Sequence, residues 1–160
     1  MKDWFVIVNP KANSGKIGKD WIDIKSLLDI NLNYELNFTN RRYHAVELVV
    51  SALKQGYRKI LAIGGDGTIN DVLHGVFLQK NIPLSDITIG YINAKMDNYI
   101  ECILNIALDK AEMKDVFEVR YYESKVLQQR YVFDVETVTE RGIEDITVSL
   151  LPNSIRTIHC

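Results

Sequence analysis

The residues best suited to chemistry are Gly64 to Leu73, GGDGTINDVL, entered from the apolar run Ile60 to Ile63. Three glycines among four residues allow positive φ and let another molecule approach bare backbone that side chains would otherwise shield. Beyond them, Ile69, Val72, Leu73, Val76 and Phe77 recur at helical spacing, so the order is strand, glycine loop, helix. Thr68, with Asp66 just before it, has the chemistry of an N-cap. Free N–H groups and the positive end of the helix dipole would then face the loop, an arrangement that binds anions and phosphates above all. An ordinary Asp-Gly turn has the same composition, and spacing alone leaves both readings open. The loop matches neither the Walker pattern nor the GxGxxG dinucleotide spacing.

A second candidate lies after the first strand. Trp4 to Val8 is an apolar run of strand length, stopped by Asn9 and Pro10, and followed by KANSGK, whose Lys11 and Lys16 supply cations. Ile17, Trp21, Ile24 and Leu28 mark one helix face, Tyr34 to Phe38 alternates as a short strand, and Val46, Val49, Val50 and Leu53 mark a second helix with Gly56 as its C-terminal cap. Lys59 to Ile63 and Ile87 to Ile92 are two further strands, and Ile100 to Ala111 is amphipathic.

Strands alternating with helices through connections too long for hairpins predict an α/β fold, a Rossmann-like and mainly parallel sheet flanked by helices. In such a sheet the loops at the carboxyl ends of the strands line the ligand crevice, so Asn9, Thr39 and Gly64 should converge. Val116 to Tyr122, Arg130 to Val135 and Asp145 to Leu151 read instead as strands with polar connections. The chain divides near Lys114 into an α/β domain, 1–114, and the start of a β-rich second domain, 115–160. That remainder is too short for an ordinary core of its own. It must pack on the first domain, pair with another chain to form a homo-oligomer, or be incomplete.

The 160 residues are 47% hydrophobic and 25% charged, the composition of a globular protein, and the formal net charge of -2 supplies no basic field to recruit nucleic acid. Cys102 and Cys160 have no ligand-spaced neighbours and read as free thiols of a reducing, cytoplasmic compartment. No leader pattern and no spanning apolar run is present in the sequence, although a peripheral enzyme acting at a membrane surface needs neither. His44 and His74 lack acidic or cysteine partners and read as surface or packing residues. Arg41 and Arg42 are equally consistent with a solvated helix entrance and with a phosphate contact.

VNPKANSGK (Val8 to Lys16) and GGDGTINDVLHG (Gly64 to Gly75), with Thr39 between them, resemble the diacylglycerol kinase catalytic domain family, which includes bacterial lipid kinases and the sphingosine and ceramide kinases. NAD kinases share a related fold and are a weaker match. The resemblance implies a nucleotide site made of Asn9, Thr39, Gly64, Gly65, Asp66, Gly67, Thr68 and Asn70. It implies transfer of the γ-phosphoryl group of ATP, with Mg2+, to a lipid hydroxyl such as that of diacylglycerol. Backbone N–H groups of Gly65 and Gly67 would hold phosphate oxygens, and Asp66 would coordinate the metal or orient the loop. Two departures stand out. Where the family carries a second glycine loop this chain reads Ile92-Asn93-Ala94-Lys95-Met96-Asp97-Asn98, and Val116 to Leu151 resembles only the beginning of the family's second domain. No residue can be nominated as general base. The same departures would suit a non-catalytic relative that binds nucleotide without transferring phosphate.

Overall fold

The computed structural model describes residues 1–109 and 156–159. The strand-like runs expected between Val116 and Leu151 lie outside the described residues.

Five strands form one parallel sheet: β1 (Trp4–Val8), β2 (Tyr34–Phe38), β3 (Lys59–Gly64), β4 (Thr88–Asn93) and β5 (Arg156–His159). Their order is β2-β1-β3-β4-β5, every neighbouring pair parallel. The helices are α1 (Ala12–Asn31), α2 (His44–Lys54), α3 (Asp66–Leu78) and α4 (Tyr99–Ala107). Strand alternation sorts β1 between two cores. Phe5 and Ile7 pack with Ile60, Ala62, Ile89 and Tyr91 beneath α2 and α3. Trp4, Val6 and Val8 pack with Leu61, Ile63 and Ile92 beneath α1 and α4. Burial on both faces is why these strands read as continuous apolar runs.

Three local features differ from the sequence reading. Helix α3 begins at Asp66 with Gly65 as its N-cap, not at Thr68, so Gly67 and Thr68 already belong to the first turn. None of the three loop glycines has positive φ; among the described glycines only Gly15 and Gly56 do. Gly56 meets expectation, donating to Leu53 O just past α2 while Tyr57 N–H reaches Ala52 O. The second difference is in α1, which opens at Ala12, ahead of the loop residues; Asn13, Ser14 and Gly15 are non-helical, as a loop there requires, and their left-handed backbone forms a kink before the regular helix. Third, Cys102 is disulfide-bonded and not a free thiol. No spacing argument links distant cysteines, and Cys160 lies outside the described residues.

β5 comes from the part of the chain assigned by sequence to a β-rich domain, yet it extends the parallel sheet, with Ile158 buried in the α1/α4 core. Arg156 secures its start by donating to the Asp109 carboxylate at 3.1 Å.

Candidate functional site

The sheet order places the first crossover on one side of β1 and the next on the other, so the connections diverge between β1 and β3. A crevice opens at such a switch point, beyond the carboxyl ends of the strands. A cleft of about 460 Å³ lies there, lined by the ends of β1, β2 and β3 and by the first turns of α2 and α3. Of the residues singled out by sequence, Asn9, Thr39, Gly65, Gly67 and Thr68 line it; Gly64, Asp66 and Asn70 do not.

Asn9 ties the two sides of the switch point together. Its backbone N–H donates to Ile63 O at 2.9 Å, its side-chain Nδ2 donates to Thr68 Oγ1 at 3.2 Å, and its Oδ1 accepts from Lys11 N–H at 3.1 Å. Thr39 is fixed by its own N–H on Val8 O at 2.8 Å. The glycines divide by role. A Cβ at Gly64 would lie 2.3 Å from Thr68 Oγ1, so Gly64 lets the first turn of α3 close onto the strand. A Cβ at Gly65 or Gly67 would meet nothing within 4 Å, so their backbone faces open space at the end of the helix. The first N–H groups of a helix lack an i−4 acceptor; here Thr68 N–H turns back to Gly65 O at 3.0 Å, while Gly65 and Gly67 line a cleft that Lys11 and Arg42 also line.

Asp66 sits on the other flank of that helix end. Its Oδ2 accepts from Lys95 Nζ at 3.5 Å, with both side chains largely in water. The buried Tyr91 hydroxyl, on β4, lies close enough that burial first and the Asp66 charge second push it well above the usual phenol range. Asn70 is buried, and neither end of its amide has a hydrogen-bond partner among the described residues.

Lys11, Arg41 and Arg42, the cations raised as candidates from sequence, also line the cleft, together with Asn40, Tyr43 and Asp71. Arg41 is paired through both guanidinium nitrogens with Glu47, at 2.7 and 2.6 Å. His44 Nδ1 accepts from Asn40 N–H at 3.2 Å, and His74 is buried, which pushes its pKa down; neither lines the cleft.

Lys16, the other cation of the KANSGK segment, is turned away from the cleft. It donates to Met96 O at 2.9 Å and to the Tyr99 hydroxyl at 2.8 Å, and pairs with Asp20 at 3.0 Å. Asn13 adds a bond to Ala94 O, and Ala94 N–H reaches Gly64 O at 2.7 Å. The short β4–α4 connection is thus clamped between α1 and the end of β3. The clamp is pH-limited on both sides. Hydrogen bonds from Lys16 and Tyr99 hold the Asp20 carboxyl below its ordinary range, so its contribution is lost as pH falls through that lowered value. Tyr99 and Asp20 raise Lys16, whose contribution is complete below the usual lysine value and lost as pH rises through the raised one. Lys16→Met should lower the melting temperature by a few degrees at neutral pH and by less in strong alkali. An equal loss at both pH values would contradict the clamp.

A family model, the diacylglycerol kinase catalytic domain, matches residues 3–118. The chain belongs to the diacylglycerol kinase catalytic domain family. It is 34% identical over 91 residues to a diacylglycerol kinase of Staphylococcus haemolyticus, covering 55% of this chain and 27% of the relative. It is 31% identical over 88 residues to a ceramide kinase of Arabidopsis thaliana, covering 52% of this chain and 14% of the relative. Among solved structures, a diacylglycerol kinase from Bacillus anthracis str. Sterne superposes with a TM-score of 0.56 at 19% identity, over 68% of this chain and 44% of that one. That likeness bears on the fold. The chain therefore spans less than half of these diacylglycerol and ceramide kinases, and the family-model match over 3–118 contains the whole cleft.

Proposed function

We propose that this chain carries the nucleotide site of an ATP-dependent lipid kinase, which transfers the γ-phosphoryl group to a lipid hydroxyl such as that of diacylglycerol at a membrane surface. The observation that carries the reading is the cleft at the switch point, where the exposed backbone of Gly65 and Gly67 at the start of α3 meets the Asn9–Thr68 bridge. Anionic oxygens are recognised by such a helix end, and preorganised donors stabilise the charge that spreads over the transferred group. In this reading Gly65 and Gly67 N–H groups hold phosphate, Lys11 balances its charge, and Asn9 keeps Thr68 and the helix end in place. Gly64 and Asn70 act from behind the cleft, through packing. The β-rich part, 115–160, would contribute to a second domain or to pairing between copies of the chain.

ATP supplies the phosphoryl group, and magnesium would neutralise its phosphates. Asp66 fits a cation: it stands at the first residue of α3, is half-exposed, and already accepts an ammonium group from Lys95. No helix among the described residues is long and apolar enough to cross a membrane.

A second reading, nucleotide binding without transfer, is favoured by the clamped β4–α4 connection, which holds Ala94 and Met96 against α1. Radiolabelled ATP with diacylglycerol and other lipids in mixed micelles separates the two. A phospholipid product that disappears in Asp66→Ala supports transfer, while thermal stabilisation by ATP with no product supports binding alone. Because Lys95 competes for Asp66, Lys95→Ala should lower the magnesium concentration needed for half-maximal ATP binding by up to about fivefold, the range of an exposed ion pair. A higher magnesium requirement would instead show Lys95 assisting the nucleotide.

A further inference from the structure

Tyr43 is the N-cap residue of α2 and adopts φ 61°, ψ 8°, the left-handed region. Glycine tolerates that conformation, whereas a bulky side chain there is strained. The helix does not require a tyrosine: no side-chain bond caps it, and Val46 N–H is satisfied by the Tyr43 carbonyl at 3.1 Å, an interaction that any residue could supply. The ring is therefore the feature that needs explaining.

Tyr43 lines the cleft and is 39% exposed; Phe38, at the end of β2, is comparably exposed at 42% but does not line it. The Arg42 guanidinium lies 4.9 Å from the Tyr43 ring centroid. A phenol ring backed by a guanidinium forms a planar, polarisable surface of the kind on which heterocyclic bases stack. The neighbouring Arg41 is held by Glu47 and takes no part in this surface. Asn9, Gly65 and Gly67, the residues proposed to meet phosphate, line the same cleft, and its volume of about 460 Å³ falls in the range of small-molecule and cofactor sites.

We infer that Tyr43, with Arg42 against its ring, is the base-stacking residue of the cleft and receives the planar heterocycle of a nucleotide whose phosphates lie at the start of α3. This rests on the nucleotide reading above and adds to it a residue that sets where the base sits. Stacking on an aromatic side chain is tolerant of base identity, so the site should accept purine nucleoside triphosphates with similar affinity.

The test uses the full chain, with ATP and inorganic tripolyphosphate as separate probes in calorimetric titrations, and melting temperatures alongside. Tyr43→Gly relieves the left-handed strain and should raise the melting temperature, weaken ATP on the order of tenfold, and leave tripolyphosphate affinity unchanged. Tyr43→Phe keeps the ring and should bind ATP as the parent does. If Tyr43→Gly binds ATP undiminished, or loses ATP and tripolyphosphate equally, or if Tyr43→Phe loses ATP, the stacking role is overturned while the phosphate site stands. If the parent chain binds neither probe, the nucleotide reading falls and this inference with it.

Discussion

Gly67→Val is expected to leave the domain folded at or slightly above its original stability and to remove nucleotide binding. The two halves of the result have separate causes. Gly67 is the second residue of α3, and a Cβ built there meets nothing within 4 Å. The new side chain consequently displaces no protein atom, and replacing glycine inside a helix recovers up to about 1 kcal/mol of backbone entropy, less for a β-branched residue. The open space it fills is the approach to the helix N–H groups that the phosphates would use. Loss of two charge-assisted hydrogen bonds, each worth about 1.5–3 kcal/mol, corresponds to a loss of at least about a hundredfold in affinity. Titration with ATP together with a thermal melt reads both halves. A variant that melts normally and still binds ATP would place the phosphates elsewhere than at the start of α3.

The contrast with Gly64 shows how far the sequence could be read. The three glycines look equivalent in GGDGT, yet a Cβ at Gly64 would lie 2.3 Å from Thr68 Oγ1, while one at Gly65 or Gly67 would enter open space. Which glycine serves packing and which serves approach depends on where the helix starts, and Thr68 misled on that point because its hydroxyl receives Asn9 across the switch point instead of capping α3. The sheet was legible because burial on both faces leaves uninterrupted apolar runs at Trp4 to Val8 and Ile60 to Ile63. β5 was not, since RTIH is a four-residue strand, too short to show a pattern of its own, although its Ile158 reaches the core. Convergence of Asn9 and Thr39 followed from parallel topology alone. Neither the capture of Arg41 by Glu47 nor that of Asp66 by Lys95 has a periodic signature, because each bond bridges a loop and a helix end. Tyr43 was passed over for a related reason: a left-handed backbone at a tyrosine contradicts local preference, and such contradictions mark function more often than folding.

Gly75→Leu is expected to cost about 3 kcal/mol and to lower the melting temperature by roughly 10 °C for a domain of this size. Gly75 lies on the buried face of α3 where that helix crosses α2. A Cβ there would come within 2.7 Å of Val46 O and 2.8 Å of Val49 Cβ. The first of these atoms belongs to the backbone, so no rotamer change relieves the contact, and α2 must move as a body. The gain in helix propensity over glycine, under about 1 kcal/mol, does not offset overpacking against main chain. The consequence extends to the cleft, although Gly75 is not in its lining. Tyr43 opens α2 and Gly65 caps α3, and these two helix starts form facing walls. Forcing the helices apart separates the walls, so ATP affinity should fall while the chemistry of every cleft residue is unchanged. Thermal melts and ATP titrations on Gly75→Leu and Gly75→Ala should therefore track each other, the smaller residue giving the smaller loss in both. A stable Gly75→Leu would mean that α2 and α3 do not meet at this point, and the cleft between their first turns would have to be redrawn.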